Sequence, residues 1–393
     1  MQRIAQAARA MLTQRLLPFW QALRDEAHGG YYGYMDFDLR IDRQAEKGCI
    51  LNSRILWFFS EAAMVTGDET LIPYARHAYR FLTDKCLDRE QGGVYWSVSY
   101  DGKPLDATKH TYNQAFAIYA LSAYYRLTGE GEALALAKEL FDIIETRCTD
   151  GGGYLEAFTR DFRPASNEKL SENGVMAERT MNTLLHVFEG YSGLYQAEKS
   201  PEVSAALERI LDIYARKVYN PRLRRQEVFF DKDYRSLIDL TSYGHDIESS
   251  WLIDWGCFLL ETPALTEKIA AIDSALADSV LRAAFNGSLA NECERGVVDT
   301  HRVWWVQAEA LLGFVNEFIK HPDRTDCRDA AASLWRYITE KLEDRRPGGE
   351  WFWRLDEAGE PDREKPIVEP WKCPYHNGRM CMELIRRDPD VFI

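Results

Sequence analysis

The chain has 393 residues, two to three times a typical domain of roughly 150. Hydrophobic residues make up 46% and charged residues 28%, an ordinary globular balance that excludes a disordered, collagen-like or low-complexity chain. The formal net charge of −14 gives a surface that repels phosphate backbones, so no nucleic-acid partner is expected, and no apolar run approaches the roughly 18–20 residues of a membrane span.

The N-terminal stretch MQRIAQAARAMLTQRLLPFW lacks the apolar centre of a signal peptide. Arg3, Arg9 and Arg15 precede the first acid, Asp25, a superficial likeness to a transit peptide, but the spacing reads as an amphipathic first helix. Eight scattered cysteines form no CxxC pair, which excludes zinc-knuckle and redox spacings and points to a reduced, cytoplasmic protein. Helical patterns run in chain order near 2–24, 50–66, 70–86, 112–128, 132–147, 180–197, 202–218, 245–261, 264–284, 303–320, 325–343 and 374–386. Glycine-led aromatic segments lie between them: GGYYGY from Gly29, GGVYWSVSYDG from Gly92, GGGYLEAFTRDF from Gly151 and GGEWFWRLDEAG from Gly348. Two weaker members, VFFDKDY from Val228 and GSLANE from Gly287, complete a period of about sixty residues, the mark of an array built from one unit. The alternation after each glycine suggests short strands or hairpins.

The helices fall into two classes. EALALAKELFDIIETR, Glu132 to Arg147, has one apolar stripe and one charged face. ILWFFSEAAMV from Ile55 and AFAIYALSAYY from Ala115 are apolar nearly all round, as helices buried on every side must be. Six such alternations predict an all-α (α/α)6 barrel, the even-numbered helices inside and short β-hairpins in the connections. No Ser/Pro-rich linker interrupts the chain, so residues 1–393 read as one domain. An open solenoid is the alternative; six repeats without polar end-caps favour closure.

The chemically unusual residues collect at one place in this scheme. Arg54 opens the second helix, Tyr112 and Asn113 the fourth, Asn182 and His186 the sixth, His245 and Glu248 the eighth, Trp304, Trp305 and Glu309 the tenth, and His376 the twelfth. In a barrel these N-terminal ends converge on one mouth, and an aromatic pocket with a few convergent polar groups is a binding site. His245 and Glu248 stand at i and i+3, so the carboxylate is expected to fix that imidazole's tautomer. Asn182 and His186, at i and i+4, share a face. Three histidines suggest proton transfer near neutrality. They are also potential metal ligands, but HExxH and a second tight ligand pair are both missing, so no metal is expected.

SENGVMAERTMNTLLHVFEGY, TSYGHDIESSWL, HRVWWVQAEA and PWKCPYHNGRM are long and chemically distinctive, and through them the whole chain resembles the N-acylglucosamine 2-epimerase superfamily, within it the cellobiose 2-epimerases. The resemblance implies an (α/α)6 barrel that inverts C2 of the reducing-end glucose of β-1,4-linked disaccharides, with no metal or organic cofactor. It implies that His245 and His376 are the two acid/base groups and that His186 positions the sugar and assists ring opening. Arg54, Tyr112, Asn182, Glu248 and Trp305 would contact or support the substrate, and Trp371 would stack on the sugar beyond the reacting one. The acylglucosamine relatives use a nucleotide, but no GxxxxGK[ST] loop is present.

A small-molecule oligosaccharide is therefore the expected partner of what reads as a monomer. Rival readings remain a ketose-forming isomerase sharing the enediolate, a monosaccharide 2-epimerase, a glycoside hydrolase using two of Glu172, Asp246, Glu248, Glu292 and Glu309, and a non-catalytic sugar-binding protein.

Overall fold

In the computed structural model, residues 2–171 and 173–393 are described. They form twelve helices, here α1 (4–22), α2 (Cys49–Thr66), α3 (72–86), α4 (Thr111–Thr128), α5 (Gly131–Arg147), α6 (Met181–Ala197), α7 (201–218), α8 (Tyr243–Leu260), α9 (Pro263–Ala283), α10 (Trp304–Lys320), α11 (325–342) and α12 (His376–Arg387). Every helix expected from the periodicity is present, its ends displaced by about two residues at most.

The even-numbered helices pack in sequence, α2 on α4, α4 on α6 and onward to α12, which returns to α2. Odd-numbered helices cover them from outside, and α1 packs on α12 to seal the outer ring. The (α/α)6 barrel is thus closed, not an open solenoid. Burial explains the two helix classes. Every residue from Cys49 to Ala63 and from Thr111 to Tyr124 is buried, so no polar face could survive there without partners. Inner helices also approach closely: a Cβ on Gly190 of α6 would lie 2.6 Å from the Ala115 carbonyl oxygen of α4.

The glycine-aromatic segments form short strands that hand one repeat to the next. Lys47–Gly48, entering α2, pairs with Ser97–Val98; Lys109–His110 with Ala157–Phe158; Arg179–Thr180 with Phe229–Phe230; Leu240–Ser242 with Glu292–Glu294; and Arg302–Val303 with Arg354–Leu355. A bridge between Met35 and Val368 completes the circle. Buried ion pairs brace three repeats from beneath, Lys47 with Asp25 at 2.6 Å, Lys109 with Asp88 at 3.1 Å and Lys372 with Glu350 at 2.5 Å, and buried Arg179 meets the exposed Asp150 at 2.7 Å. The strand ring therefore fixes where each inner helix begins. No described helix is long and apolar enough to cross a membrane.

Candidate active site

A cavity of about 270 Å³ opens where the inner helices begin. Arg54, Tyr112, Asn182, His186, His245, Glu248, Trp304, Trp305, Trp371 and His376 all line it, so most of the sequence-derived set is brought together. Six helix N-termini face it, and their partial positive charges favour an anion there.

Two expected residues stand elsewhere. Asn113 is turned out of the cavity, and its Nδ2 donates to the Tyr95 carbonyl at 3.3 Å. Glu309 is fully buried behind His376 instead of facing substrate. Of the remaining carboxylates, Asp246 is buried and accepts the Gln226 backbone N–H at 2.9 Å, Glu292 lies at the cavity rim, and Glu172 lies outside the described residues.

The three histidines have different supports. His186 Nδ1 lies 2.9 Å from Glu189, and His376 Nδ1 lies 2.7 Å from Glu309. An ionised carboxylate only accepts, so these bonds put the proton on Nδ1 and leave Nε2 for the cavity. His245 Nδ1 lies 2.7 Å from the Ser242 hydroxyl. The expected His245–Glu248 pair does not form: Nδ1 of His245 turns to Ser242, and Oε1 of Glu248 accepts from Arg379. That guanidinium also donates to Glu309 at 2.7 Å and to Glu189 at 2.6 Å, while the Tyr375 hydroxyl donates to Glu189. One buried cation thus connects the supports of His186 and His376.

Burial pushes His245 down to about 3, with His186 acting in the same direction. It carries His376 well below the usual histidine range, helped by Arg379 and Arg54. Burial thus favours the neutral, proton-accepting form of each ring. Burial pushes Glu248 up to about 7, reinforced by Glu309 and opposed by Arg379. Burial also raises Glu189, but Arg379 and His186 outweigh it and hold that carboxyl below its ordinary value. Arg54 remains cationic: burial disfavours the charge, and Tyr112, Cys373 and Tyr375 beside it more than compensate. Its Nη2 donates to the Tyr112 hydroxyl at 2.9 Å, and its guanidinium lies over Phe116 and Tyr375 at 4.2 and 4.6 Å. No carboxylate lies within ion-pair distance of Arg54 among the described residues.

Trp305 lies against both acid/base candidates, its ring 4.7 Å from His245 and 5.4 Å from His376. Gly244 makes room for that indole, since a Cβ there would meet it at 2.5 Å. Trp371 stands 5.8 Å from both Tyr112 and Trp96, on the Arg54 side. Glu248, Glu309 and His376 offer donor atoms within 4.8 Å of one another, but the Arg379 guanidinium already bridges both carboxylates where a metal would sit.

The comparisons with known proteins now have a site to refer to. The family model described as N-acylglucosamine 2-epimerase (GlcNAc 2-epimerase) matches residues 30–377. The chain belongs to this family. The cellobiose 2-epimerase of Eubacterium cellulosolvens is 53% identical over 397 residues, spanning 97% of this chain and 98% of that one. A solved sugar epimerase from a ruminal bacterium is 46% identical, with a TM-score of 0.97 over 99% of this chain and 100% of that one. The cellobiose 2-epimerase of Bacillus thermoamylovorans B4167 is 42% identical, with a TM-score of 0.95 over 98% of this chain and 99% of that one. The family resemblance and the barrel read from the sequence are both borne out.

Family membership also frames what sequence reasoning missed. Glu189, Arg379, Tyr375 and Ser242 hold the histidines without having been singled out. The signal was present: Glu189 follows His186 by three, Arg379 follows His376 by three, and Ser242 precedes His245 by three.

Proposed function

We propose that the protein is a cellobiose 2-epimerase, a carbohydrate isomerase that reversibly converts the reducing-end glucose of cellobiose and related β-1,4-linked disaccharides to mannose. The observation that carries this reading is the placement of His245 and His376 on different helices, both against Trp305, in one cavity with Arg54, which has no carboxylate partner among the described residues. Similarity to the cellobiose 2-epimerases supports the choice of disaccharide.

The C2 proton is acidic only when C1 is an aldehyde, so the ring opens first, a step for which His186 offers a free Nε2. One of His245 and His376 then removes the C2 proton, leaving a cis-enediolate. Arg54 and the convergent helix N-termini stabilise the oxyanion. The other histidine, having first taken a proton from solvent on Nε2, delivers it to the opposite face, the proton held by the first returns to solvent, and the two exchange roles in reverse. Inversion needs two groups on opposite faces, which explains why the histidines come from separate helices. Tyr112, Asn182, Trp304 and Trp305 shape the reacting subsite, and Trp371 carries the second sugar. We read residues 1–393 as one catalytic barrel working as a cytoplasmic monomer without metal or cofactor. The cysteines, all free thiols, support a reducing location.

The test is incubation with cellobiose in deuterated buffer containing EDTA, followed by carbohydrate NMR. The expected product is glucosyl-mannose with deuterium at C2. Free glucose would identify a hydrolase, a ketose would identify an isomerase, and turnover that returns only on adding a divalent metal would remove the metal-free mechanism.

A further inference from the structure

Ser242 occupies the position immediately before α8, where a serine hydroxyl ordinarily accepts a backbone N–H of the first helical turn. Thr180 does this for α6, accepting the Thr183 N–H at 3.0 Å. Ser242 makes no such bond. Its hydroxyl lies 2.7 Å from Nδ1 of His245. We propose that Ser242 is a positioning residue whose hydroxyl accepts the Nδ1 proton of His245 and so presents the Nε2 lone pair to the cavity.

The surroundings make this contact rigid. Ser242 pairs with Glu292 across the strand ladder, so its backbone is pinned one residue before the helix starts. The His245 ring is packed against Trp305, an approach that Gly244 permits. Hydroxyl on one side and indole on the other leave the imidazole a single orientation.

The choice of a hydroxyl also has chemical content. His186 and His376 each rest on a carboxylate. A serine hydroxyl orients the His245 ring with no added negative charge. This inference deepens the epimerase reading and rests on it for the kinetic part.

The experiment is long-range ¹H–¹⁵N correlation NMR on protein labelled at histidine, paired with kinetics on cellobiose. In the unsubstituted protein His245 should appear as one neutral tautomer with the proton on Nδ1. Ser242→Ala should mix the tautomers and lower kcat by roughly tenfold to a hundredfold, the range typical of removing a residue that orients an active group, with KM little changed. Ser242→Thr, which keeps the hydroxyl, should restore both readouts. An Nε2-protonated ring in the unsubstituted protein, an unchanged tautomer and kcat in Ser242→Ala, or no rescue by threonine would each overturn the proposal. The tautomer is read without substrate, so failure to epimerise cellobiose would sink the functional reading and leave this measurement decisive for Ser242.

Discussion

The two ends of the inner ring are built from the same helix stripes and do opposite electrostatic work. At the floor, Glu61 accepts from Arg126 at 2.9 Å and from Arg386, while Glu383 accepts from Arg386 at 2.8 Å and Arg387 at 3.0 Å. These carboxylates each hold guanidinium partners, and the arginines sit where helix C-termini present partial negative charge. At the mouth, the helix ends are positive, three histidines replace the arginines, and Arg54 has no carboxylate beside it among the described residues. The floor is electrically finished. The mouth is left incomplete, in a form that a developing oxyanion would complete.

Removing either acid/base group should break the contrast most severely. His245→Asn and His376→Asn should each lower epimerisation in both directions by about a thousandfold. The residual C2–deuterium exchange should favour opposite epimers in the two variants. Identical exchange preferences would mean that one base serves both faces.

Next in size is Arg379, the cation between the two ends. Arg379→Gln leaves Glu189, Glu248 and Glu309 buried together without a cation and should lower stability by about 3–5 kcal/mol, read from chemical denaturation. An unchanged midpoint would show that these carboxyls are held protonated.

Glu248 sharpens the comparison through pH. Its folded value of about 7 lies above the unfolded value, so its contribution is fully present below about 4.5 and is lost as pH rises through 7. His245 runs the other way: held down at about 3, it costs stability as pH falls below about 6.5, where only the unfolded chain takes up the proton. Glu248→Gln should therefore remove a downward contribution to Tm between about pH 4.5 and 7. The same slope in both proteins would place the titrating group elsewhere.

On the proposal that Trp371 carries the second sugar, Trp371→Ala should cost disaccharide turnover about 0.5–1.5 kcal/mol in kcat/KM and leave monosaccharide turnover nearly unchanged. Equal losses would take Trp371 out of the second subsite. Smallest of all, Arg126→Gln at the floor removes one partly exposed ion pair and should shift stability by no more than about 1 kcal/mol, with kcat unaltered. A kcat loss there would mean that the two ends communicate.

The barrel was legible because its cause is written in the chain. Helices such as Ile55–Val65 carry no polar face, and the glycine-led segments mark each return to the mouth. The mouth was legible because a polar residue opening an apolar helix is conspicuous. What lay deeper was hidden for the same reason. Glu189 sits in the middle of α6 and Arg379 one turn into α12, where a charge on its own reads as an ordinary i+3 neighbour, and only the fold shows that α6, α8, α10 and α12 bring them together. Asn113 was misplaced by adjacency: one residue is 100° of helix, enough to turn Asn113 toward the Tyr95 carbonyl while Tyr112 faces Arg54. The His245–Glu248 expectation failed because shared spacing permits a bond but does not reserve the partner. His245 meets Ser242 instead, and Oε1 of Glu248 accepts from Arg379, 131 positions away in sequence.

The helix that seals the ring also brings His376 and Arg379. Arg54 on α2 meets Cys373, just before α12, across 319 positions of chain. During synthesis, five of the six repeats leave the ribosome while this place is vacant, with Glu189, Glu248 and Glu309 lacking their cation. One element therefore closes the ring and completes the cavity: without α12 the three carboxyls have no guanidinium between them and the mouth has no His376.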